Sequence, residues 1–466
     1  MDPDDKFPQN AEEYLRQSQT IRAKAYETAL QNFQKLVSEM KDYSCHIHSF
    51  RIQGTKRTRQ SLFESVVNPA LGAKTFSSIL NEVNIAADKL QRLDIFQYPI
   101  YVDFDSSKDP LAQPNAIDVL LSVEEKSRFW IKTGTEIGND AGSANISLNI
   151  RNVFGGAETL EAFMSASTQT SHVFEFCLAK PINGNPDSKI DITAFSLTRN
   201  NQNFSSHDEI LRGVALRWRG LSRLGFHELS YGSTWRQVCN IAQQATLSVR
   251  ESAGHSLKSS LIHNFVRDRR DDIMLPSRGY YLRLFQEIAG LGGDVCFLKA
   301  ETESQLNFPL GKGFILSTSL RNGILFQTDG QKSKISDRFF LGGAQSIRGF
   351  KLNGIGPREE KKDSLGGDIY VAGGLSLFTP LPKLHQHPVK GHLFLNGGSL
   401  LQLNPSQPLL KSIKGLRRAP SVSAGIGIAY RSSILRLEVN FCLPLLATTT
   451  DKLQKGLQLG LGFNFW

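Results

Sequence analysis

Apolar and polar residues follow two different rhythms on either side of residue 126 in this 466-residue chain. In the N-terminal part, several stretches repeat apolar residues every three or four positions, which predicts helices. Beyond it, apolar and polar residues alternate in short runs that end at Gly, Asn, Pro or Ser, which predicts β-strands. The clearest alternating runs cover 129–137, 173–179, 421–430, 434–441 and 457–465. We therefore expect a mixed N-terminal part followed by an all-β remainder.

The N-terminal part predicts two units. Residues 1–42 are interpreted as a helical extension, because one apolar stripe recurs there at helical spacing. The stripe consists of Tyr26, Leu30, Phe33, Val37 and Met40. Residues 43–125 predict the order strand, helix, helix, strand, strand. That order suits a small α+β domain with two helices packed on one face of a sheet.

The all-β remainder, residues 126–466, contains about sixteen alternating runs, which leaves each run enough length for a membrane-spanning strand and its turn. One face of each run is apolar, and the other carries Gly, Ser or charged residues. This pattern is typical of a barrel with a lipid-facing outside and a polar lumen. We predict a transmembrane antiparallel β-barrel of about 16 strands. A soluble β-sandwich is the alternative, but it houses so many strands poorly in one domain.

Composition and short motifs argue against several other classes. No apolar run approaches the roughly 18 residues of a transmembrane helix. The net charge of +10 comes from scattered residues, so a nucleic-acid interface is not expected, and a basic surface also suits anionic lipid. The five cysteines lie far apart, and neither His46 with His48 nor His385, His387 and His392 makes a complete ligand set, so no metal is expected. The sequence has no nucleotide-binding or hydrolase motif, so we expect no cofactor and no enzymatic activity.

A glycine-rich connection at about 327–366 separates two strand-like runs. Connections longer than about 15 residues are usually functional or disordered. This one also carries apolar residues that an ordinary surface loop does not explain. We expect it to fold into the lumen, where the five donors of Arg348 would fix its tip to the barrel wall. The motif residues are Gly342, Gly343, Ile347, Arg348, Gly349 and Phe350.

The tract Phe339-Phe-Leu-Gly-Gly343, followed by Ile347-Arg-Gly-Phe350 and Gly356-Pro357, resembles the signature of the superfamily of β-barrel assembly insertases. Members of this superfamily include BamA of bacteria, the chloroplast protein-import barrel and the barrel subunit of the mitochondrial sorting and assembly machinery. The resemblance implies that the loop joins the eleventh and twelfth of sixteen strands and is tucked into the lumen. It also implies that residues 43–125 form a single POTRA domain. It covers the chain from residue 43 to the end.

One departure from the bacterial members concerns the wall that the loop arginine meets. In those members, acidic residues on the twelfth and thirteenth strands face the arginine. The matching positions here are Ser376 and Asn396, both neutral, so the tip is expected to be held without a salt bridge. These neutral positions, the single POTRA domain and an N-terminus without a secretion signal favour the mitochondrial branch. That branch implies the mitochondrial outer membrane, with the POTRA domain in the intermembrane space.

For function, the resemblance implies a core insertase that folds and inserts β-barrel precursors. The precursor's C-terminal signal strand would pair with the edge of the first strand, at a lateral gate between the first and last strands. The gate residues are Phe129, Ile131, Lys132, Thr133 and Gly134 on the first strand and Gly456, Gln458, Gly460, Gly462, Phe463 and Phe465 on the last. Expected partners are β-barrel precursors, accessory subunits of the assembly complex and membrane lipid. The alternatives are a protein-translocating channel of the same superfamily and a passive porin.

The last run also resembles the sorting signal of outer-membrane barrels. Residues 458–465, QLGLGFNF, read polar, any, Gly, any, any, hydrophobic, any, hydrophobic. The resemblance implies that this chain is itself of the type that such a machinery inserts. It says little about the chain's own activity.

Overall fold

The computed structural model describes residues 42–137, 142–167, 170–381, 388–404, 415–416, 420–432 and 436–462. The chain divides into two compact units. The first contains the described residues up to Ser127 together with Phe154–Ala157 and Asn183–Pro186, and the second contains the other described residues. The helix predicted within residues 1–42 lies outside the described residues, which begin at Asp42.

The first unit is a three-stranded sheet with two helices. Its elements are β1 (His46–Gln53), α1 (Gln60–Leu71), α2 (Phe76–Arg92), β2 (Tyr101–Ser106) and β3 (Ala116–Ser122). The central strand β3 pairs parallel with β1 and antiparallel with β2. Each helix buries one apolar face, for example Phe63 on α1 and Leu90 on α2. The elements follow the order expected for residues 43–125, and the domain type, POTRA, remains a prediction. Among the described residues, no helix combines the length and the apolar character needed to cross a membrane.

Glu125 organises the segment that leads into α1. Its Oε1 accepts hydrogen bonds from the N–H groups of Lys56, Arg57 and Thr58 at 3.1, 3.0 and 3.0 Å, and from the Thr58 hydroxyl at 2.7 Å. Burial raises the pKa of this carboxyl, but the hydrogen bonds outweigh burial and hold the pKa below its ordinary value. The carboxylate is therefore the form that stabilises this turn.

The second unit is a sheet of sixteen strands. Strands of this sheet that are consecutive along the chain lie side by side. Its strands are β4 (Phe129–Ile137), β5 (Gly142–Arg151), β6 (Thr159–Ser167), β7 (Thr170–Ile182), β8 (Asn185–Asn200), β9 (Asp208–Leu221), β10 (Phe226–Cys239), β11 (Gly254–Asp268), β12 (Gly279–Ala289), β13 (Phe297–Gly311), β14 (Phe314–Gln327), β17 (Ile369–Pro380), β18 (Val389–Leu401), β19 (Ser421–Arg431), β20 (Arg436–Leu446) and β21 (Gly456–Gly462). The pairs along the sheet are antiparallel, as in β13 with β14. The predicted antiparallel β-barrel architecture with about 16 strands is confirmed.

Short elements lie between these strands. The helices α3 (Gln202–Ser205) and α4 (Leu247–Glu251) occupy two connections. A 3-10 turn (Ile335–Asp337) and a small ribbon of β15 (Arg358–Glu359) and β16 (Asp363–Ser364) lie in the connection from β14 to β17. Because β14 and β17 are the eleventh and twelfth strands of the sheet, the long loop has the position that the family resemblance implied.

Side chains alternate between the two faces of the sheet, as the sequence pattern predicts. On β20, Arg436 and Glu438 are buried, whereas Phe441 on the opposite face is 58% exposed. On β21, Gln458 is buried and its neighbour Leu457 is exposed. A polar inner face and an apolar outer face match a barrel whose outside meets lipid.

The long loop, residues 328–368, packs on the inner face of the sheet. Its apolar residues and those of the surrounding strands form one buried cluster. The loop contributes Phe339, Leu341, Ile347, Phe350 and Ile355, and the strands contribute residues such as Phe297, Leu325, Tyr370 and Leu400. The apolar residues that are unusual for a surface loop are therefore explained by burial within the barrel.

Candidate functional site

The loop tip, residues 347–350, is buried against the barrel wall. Ile347, Arg348 and Phe350 are each 0% exposed. The chain enters the tip through Gly342 and Gly343, whose φ angles of +111° and +119° favour glycine. The Gly343 N–H donates to the Ile347 carbonyl oxygen at 3.2 Å. These two glycines allow the turn that brings Arg348 to the wall.

The Arg348 guanidinium is neutralised by Glu438 of β20. Its Nε and Nη2 donate to Glu438 Oε2 at 3.1 and 2.8 Å, and both side chains are fully buried. With the Asn396 amide turned so that both of its polar ends are satisfied, the amide oxygen accepts from Arg348 Nη1 at 2.9 Å. The guanidinium carbon also lies 5.1 Å from the centroid of the Phe394 ring, within cation–π range. All three guanidinium nitrogens therefore have partners on the wall.

Glu438 also pairs with a second buried arginine, Arg436. It accepts from Arg436 on the same strand and from the Asn440 amide, the latter at 2.8 Å. Arg436 is 3% exposed and also donates to the Met274 carbonyl oxygen at 3.2 Å. One carboxylate thus lies between two guanidinium groups that are both removed from water. Its charge is central to the cluster, because each arginine would otherwise be a buried cation without that anion.

This ion pair corrects the expectation drawn from Ser376 and Asn396. Asn396 contacts the loop tip as a neutral acceptor, but the Ser376 hydroxyl lies 3.0 Å from His392 Nε2 instead. The prediction that the tip is held without a salt bridge is wrong, because Arg348 pairs with a carboxylate, that of Glu438. This carboxylate lies on the fifteenth strand of the barrel rather than on the twelfth or thirteenth. The alternation on β20 indicated that Glu438 faces the lumen. The curvature of the sheet determines which inward-facing residue contacts the loop. The alternation of polar and apolar residues along a strand does not predict that curvature.

Gln458 of β21 holds the loop tip by its backbone. Its Oε1 accepts from the Gly349 N–H at 2.9 Å, and its Nε2 donates to the Phe350 carbonyl oxygen at 3.1 Å. The segment before β21 adds two more bonds, from the Gln454 N–H to the Gly349 carbonyl oxygen at 2.9 Å and from the Lys351 N–H to the Lys452 carbonyl oxygen at 3.0 Å. The last strand and the loop tip are therefore directly coupled.

Gly349 fits a close approach to β19. Its φ is +83°, and a Cβ at this position would lie 3.0 Å from Ser423 Cβ. The Ser423 hydroxyl meanwhile donates to the Arg348 carbonyl oxygen. A larger residue here would combine an unfavourable backbone conformation with a contact that pushes the tip away from the wall.

A second ion pair fixes the loop near its start. Asp337 Oδ1 accepts from Arg236 Nη1 of β10 at 2.7 Å, and both side chains are 3% exposed. Lys299 of β13 donates to the Asp337 carbonyl oxygen at 2.8 Å. Farther along, Asp363 accepts from the Thr246 N–H at 2.8 Å. The loop therefore crosses the lumen between these anchors and the contacts with β18 to β21.

The strands β4 and β21 are the two ends of the sixteen-stranded sheet. β4 pairs with β5 and β21 pairs with β20, and no backbone hydrogen bond joins residues 129–137 to residues 456–462, both of which the structure describes. On β4, Phe129 and Ile131 are 63% and 64% exposed, and Lys132 and Thr133 are exposed as well. Gly134 lies on the same strand, paired with Asn145. These predicted gate residues therefore lie on the strand at one end of the described sheet.

The other side of this seam contains the glycines of β21. Gly456 has φ +98°, with open space where a side chain would lie. Gly460 pairs with Glu438 and Gly462 pairs with Arg436. Phe463 and Phe465, which were predicted to belong to the gate, lie outside the described residues, as do His385 and His387.

Comparison with known proteins gives matches over most of the chain. The Omp85 superfamily domain matches residues 152–465. A SAM50-like protein of Schizosaccharomyces pombe is 33% identical over 452 residues, which is 94% of each chain. A protein of Homo sapiens, "Sorting and assembly machinery component 50 homolog", is 36% identical over 432 residues, which is 90% of each chain.

Among solved structures, BamA from Haemophilus ducreyi lacking POTRA domains 1–3 has a TM-score of 0.77 to this chain at 17% identity. The alignment covers 90% of this chain and 84% of that one. At this identity the likeness concerns the fold, and it agrees with the sixteen-stranded architecture described above.

Proposed function

Because the chain belongs to the Omp85 superfamily, and within it to the family of sorting and assembly machinery component 50 homologs, we propose that it is a core insertase of the mitochondrial outer membrane. Its substrates would be β-barrel precursors, and accessory subunits of the assembly complex would be its partners. The POTRA domain would face the intermembrane space and receive the precursors there. Family membership supports this class of activity, and the position of β4 and β21 at the two ends of the sheet supports the mechanism proposed below.

The observation that supports this mechanism best is the seam between β4 and β21. Both strands end the sheet, and their described residues are not paired with each other. If the seam opens, the edge of β4 would present N–H and C=O groups at the spacing that another strand needs. An incoming precursor strand would therefore bind the edge of β4 by β-augmentation, with its C-terminal signal strand first.

Insertion would then proceed by exchange of hydrogen bonds. Each added hairpin of the precursor would pair with the one before it, and closure of the new barrel would satisfy its own last edge. Transfer of the precursor's apolar face from water to lipid would supply the driving force, because burial of apolar surface is favourable in proportion to its area. We propose that no covalent chemistry takes place, and that the chain acts without a cofactor.

The loop supports an insertase rather than a passive porin. Its tip and its start are fixed on different strands, by Arg348 with Glu438 and by Asp337 with Arg236. We expect a segment held across the lumen in this way to obstruct free diffusion. The same segment holds β21 through Gln458, so it supports one side of the gate. We propose that the loop keeps the seam in a shape that receives a precursor strand.

Reconstitution tests the proposal directly. The full-length chain is placed in liposomes, a urea-denatured β-barrel precursor is diluted into them, and folding is followed by the altered gel mobility of the unheated barrel. We expect the chain to accelerate folding, and we expect a precursor without its last strand to gain nothing. A matched control replaces Glu303, a lumen-facing glutamate of β13 paired with Arg321, by glutamine; this variant should keep the acceleration.

If the chain makes the liposomes permeable to ions or to unfolded protein but leaves the folding rate of the precursor unchanged, the chain conducts rather than inserts. The translocating channel of the same superfamily, or a porin, would then replace the insertase.

A further inference from the structure

The outer faces of β10 and β11 carry a polar or amphipathic side chain in every row of the strand pair. Arg236 of β10 is held on the inner face by Asp337, so Trp235, Gln237 and every second residue beyond them face outwards. The register gives six outer rows: His227 with Phe265, Leu229 with His263, Tyr231 with Leu261, Ser233 with Ser259, Trp235 with Leu257, and Gln237 with His255. The polar track is the set of polar and amphipathic residues in these rows, namely His227, Tyr231, Ser233, Trp235, Gln237, His255, Ser259 and His263.

The polar track is long enough to cross the apolar part of a bilayer. His227 and Gln237 lie ten positions apart on β10, which is roughly 34 Å along the strand at about 3.4 Å per residue. At the tilt of about 35–45° that is usual in membrane barrels, this length is roughly 24–28 Å along the membrane normal, close to the apolar band of about 25 Å. Hydrogen-bonding groups are therefore available on the outer face from one rim of the barrel to the other.

Hydrogen bonds orient several of these groups. The Ser259 hydroxyl donates to the Tyr231 hydroxyl oxygen at 2.9 Å, near the middle of the track. His227 Nδ1 lies 3.3 Å from His263 Nε2, and His263 Nδ1 lies 3.4 Å from Oε1 of Gln286 on β12. Polar groups that face hydrocarbon without partners are costly. This part of the outer face therefore suits a polar ligand better than acyl chains alone.

Each end of the polar track has an arginine stacked on an aromatic ring. The Arg212 guanidinium carbon of β9 lies 5.6 Å from the centroid of Trp235, and the other stacking partner of Trp235 is His255 at 5.0 Å. At the opposite end, the Arg267 guanidinium carbon lies 5.6 Å from the centroid of the Tyr280 ring of β12. Within the described part of the chain, no carboxylate forms a salt bridge with either arginine. Cations of this kind near a membrane surface suit the phosphate of a lipid.

Two other strand pairs of the same barrel lack such a track. On β19 and β20 the central outer rows are apolar: Ile428 with Val439, Ile426 with Phe441, and Ala424 with Leu443. On β13 and β14, hydroxyls occur only in the middle, at Thr302, Ser304 and Thr318. The rows that flank them are apolar, Ala300 with Ile324 and Phe308 with Leu316. Among these three described pairs, β10 with β11 alone has polar groups in every row.

We propose that the polar track guides phospholipid headgroups between the two leaflets, so that the chain is also a phospholipid scramblase. Its substrate class is the zwitterionic glycerophospholipids, such as phosphatidylcholine. The phosphate accepts hydrogen bonds from the serine, tyrosine and imidazole groups, and the quaternary ammonium lies over the Tyr231 or Trp235 ring. Lipid exchange is slow because the headgroup must leave water, and partners that recur about every 7 Å along the strand offset that cost. This activity requires no precursor and is independent of the insertase function.

Extraction by albumin measures lipid exchange in liposomes. The full-length chain is reconstituted in phosphatidylcholine liposomes that carry a trace of short-chain fluorescent phosphatidylcholine in both leaflets. Albumin removes the probe from the outer leaflet and is too large to enter the barrel. We expect the inner-leaflet probe to become extractable much faster than in liposomes without protein. Equal rates with and without the chain would overturn the proposal.

A triple variant locates the path. Tyr231→Phe, Ser233→Ala and Ser259→Ala together remove the hydroxyls at the centre of the polar track with little change in size. The exchange rate should fall about tenfold or more, because each hydrogen bond to the headgroup is worth roughly a factor of five. A matched control, Thr302→Val with Ser304→Ala and Thr318→Val, removes three outer hydroxyls of β13 and β14 and should leave the rate unchanged.

Rates are compared per folded barrel, from the fraction that keeps its altered mobility in an unheated gel. A wild-type rate in the triple variant, or an equal loss in the matched control, would mean that lipids cross elsewhere, such as at the seam. Either result would overturn the polar track as the path.

A photoreactive headgroup gives a readout that does not depend on rates. Phosphatidylcholine with a diazirine on its choline end is illuminated in the same liposomes, and the labelled peptides are mapped by mass spectrometry. We expect labels around Tyr231 and Ser259 in the wild type and their loss in the triple variant. Ile426 and Phe441, in the middle of β19 and β20, should remain unlabelled. Labels confined to the rims near Arg212 and Arg267 would show that headgroups do not enter the polar track, and the proposal would be overturned.

Discussion

Replacing Glu438 by glutamine removes the carboxylate between Arg348 and Arg436 without changing the shape of the side chain. Both guanidinium groups are at most 3% exposed, so each would remain buried after losing the Glu438 carboxylate. Breaking a buried ion pair in this way costs about 3–5 kcal/mol, which corresponds to a hundred- to several-thousand-fold change in an equilibrium constant. We expect this free energy to be lost from docking of the loop tip.

The same arrangement predicts an asymmetry between the two partners. Arg348→Met leaves Glu438 paired with Arg436 and Asn440, so no charge is left buried alone. Its cost is limited to the lost hydrogen bonds of one side chain, about 1–3 kcal/mol. Glu438→Gln should therefore release the loop tip more readily than Arg348→Met, although each removes one side of the same ion pair.

Hydrogen exchange of the reconstituted chain measures this docking. The amide hydrogens of Gly349, Lys351 and Gly354 are bonded at 2.9, 3.0 and 2.9 Å when the tip is docked, so their exchange reports its opening free energy. The Glu303→Gln control on β13 should leave these amides at wild-type rates. If these amides exchange no faster in Glu438→Gln than in Arg348→Met, docking of the loop tip does not depend chiefly on the Glu438 carboxylate.

Three further predictions concern other parts of the chain. Asp337→Asn should loosen the loop near its start, because the buried Arg236 loses the Asp337 carboxylate. Amide exchange should rise around residues 335–341 with little change at residues 347–350, and an equal rise in both segments would contradict the idea that the loop has two separate anchors. Gly349→Ala should slow precursor folding in liposomes, because the new Cβ would press on β19, whereas Gly330→Ala, at a similar φ of +72° but with open space around it, should leave the folding rate unchanged. Equal effects of the two substitutions would mean that backbone strain, rather than contact with β19, causes the slower folding. The pKa of Glu125 is lowered in the folded chain, so the stability that its carboxylate contributes is present above the unfolded pKa of about 4.3 and is lost as pH falls through the folded pKa. Amide exchange at residues 56–58, corrected for the intrinsic pH dependence of exchange, should therefore rise over this pH range in the wild type but not in Glu125→Gln.

Local pattern was sufficient to predict most of the architecture. Alternation on β20 placed Arg436 and Glu438 on the inner face, because successive strand residues face opposite sides whatever surrounds them. The position of the long loop between the eleventh and twelfth strands followed from the family motif around Arg348. The burial of Phe350 followed from its apolar character in a segment too long for a simple turn.

The partners within the site were beyond the reach of that pattern. Arg348 and Glu438 are 90 positions apart, and Gly349 and Gln458 are 109 apart. Such pairs meet because the sheet curves around the loop, and alternation along one strand contains no information about curvature. Sequence reasoning therefore chose the twelfth and thirteenth strands for the arginine's partner, and it assigned Gln458 to the gate without its contact to the loop.

Pairing of a precursor strand with β4 at the seam is tested most directly by a disulfide. A cysteine replaces the exposed Lys132, a radiolabelled barrel precursor carries one in its last strand, and the mixture is mildly oxidised. Glu303 supplies the lumen-facing comparison position, since the loop tip covers Glu438. We predict a disulfide at position 132 that requires the precursor's last strand. Disulfides at Glu303 with none at Lys132 would show that precursors pass through the lumen, and the seam mechanism would be wrong.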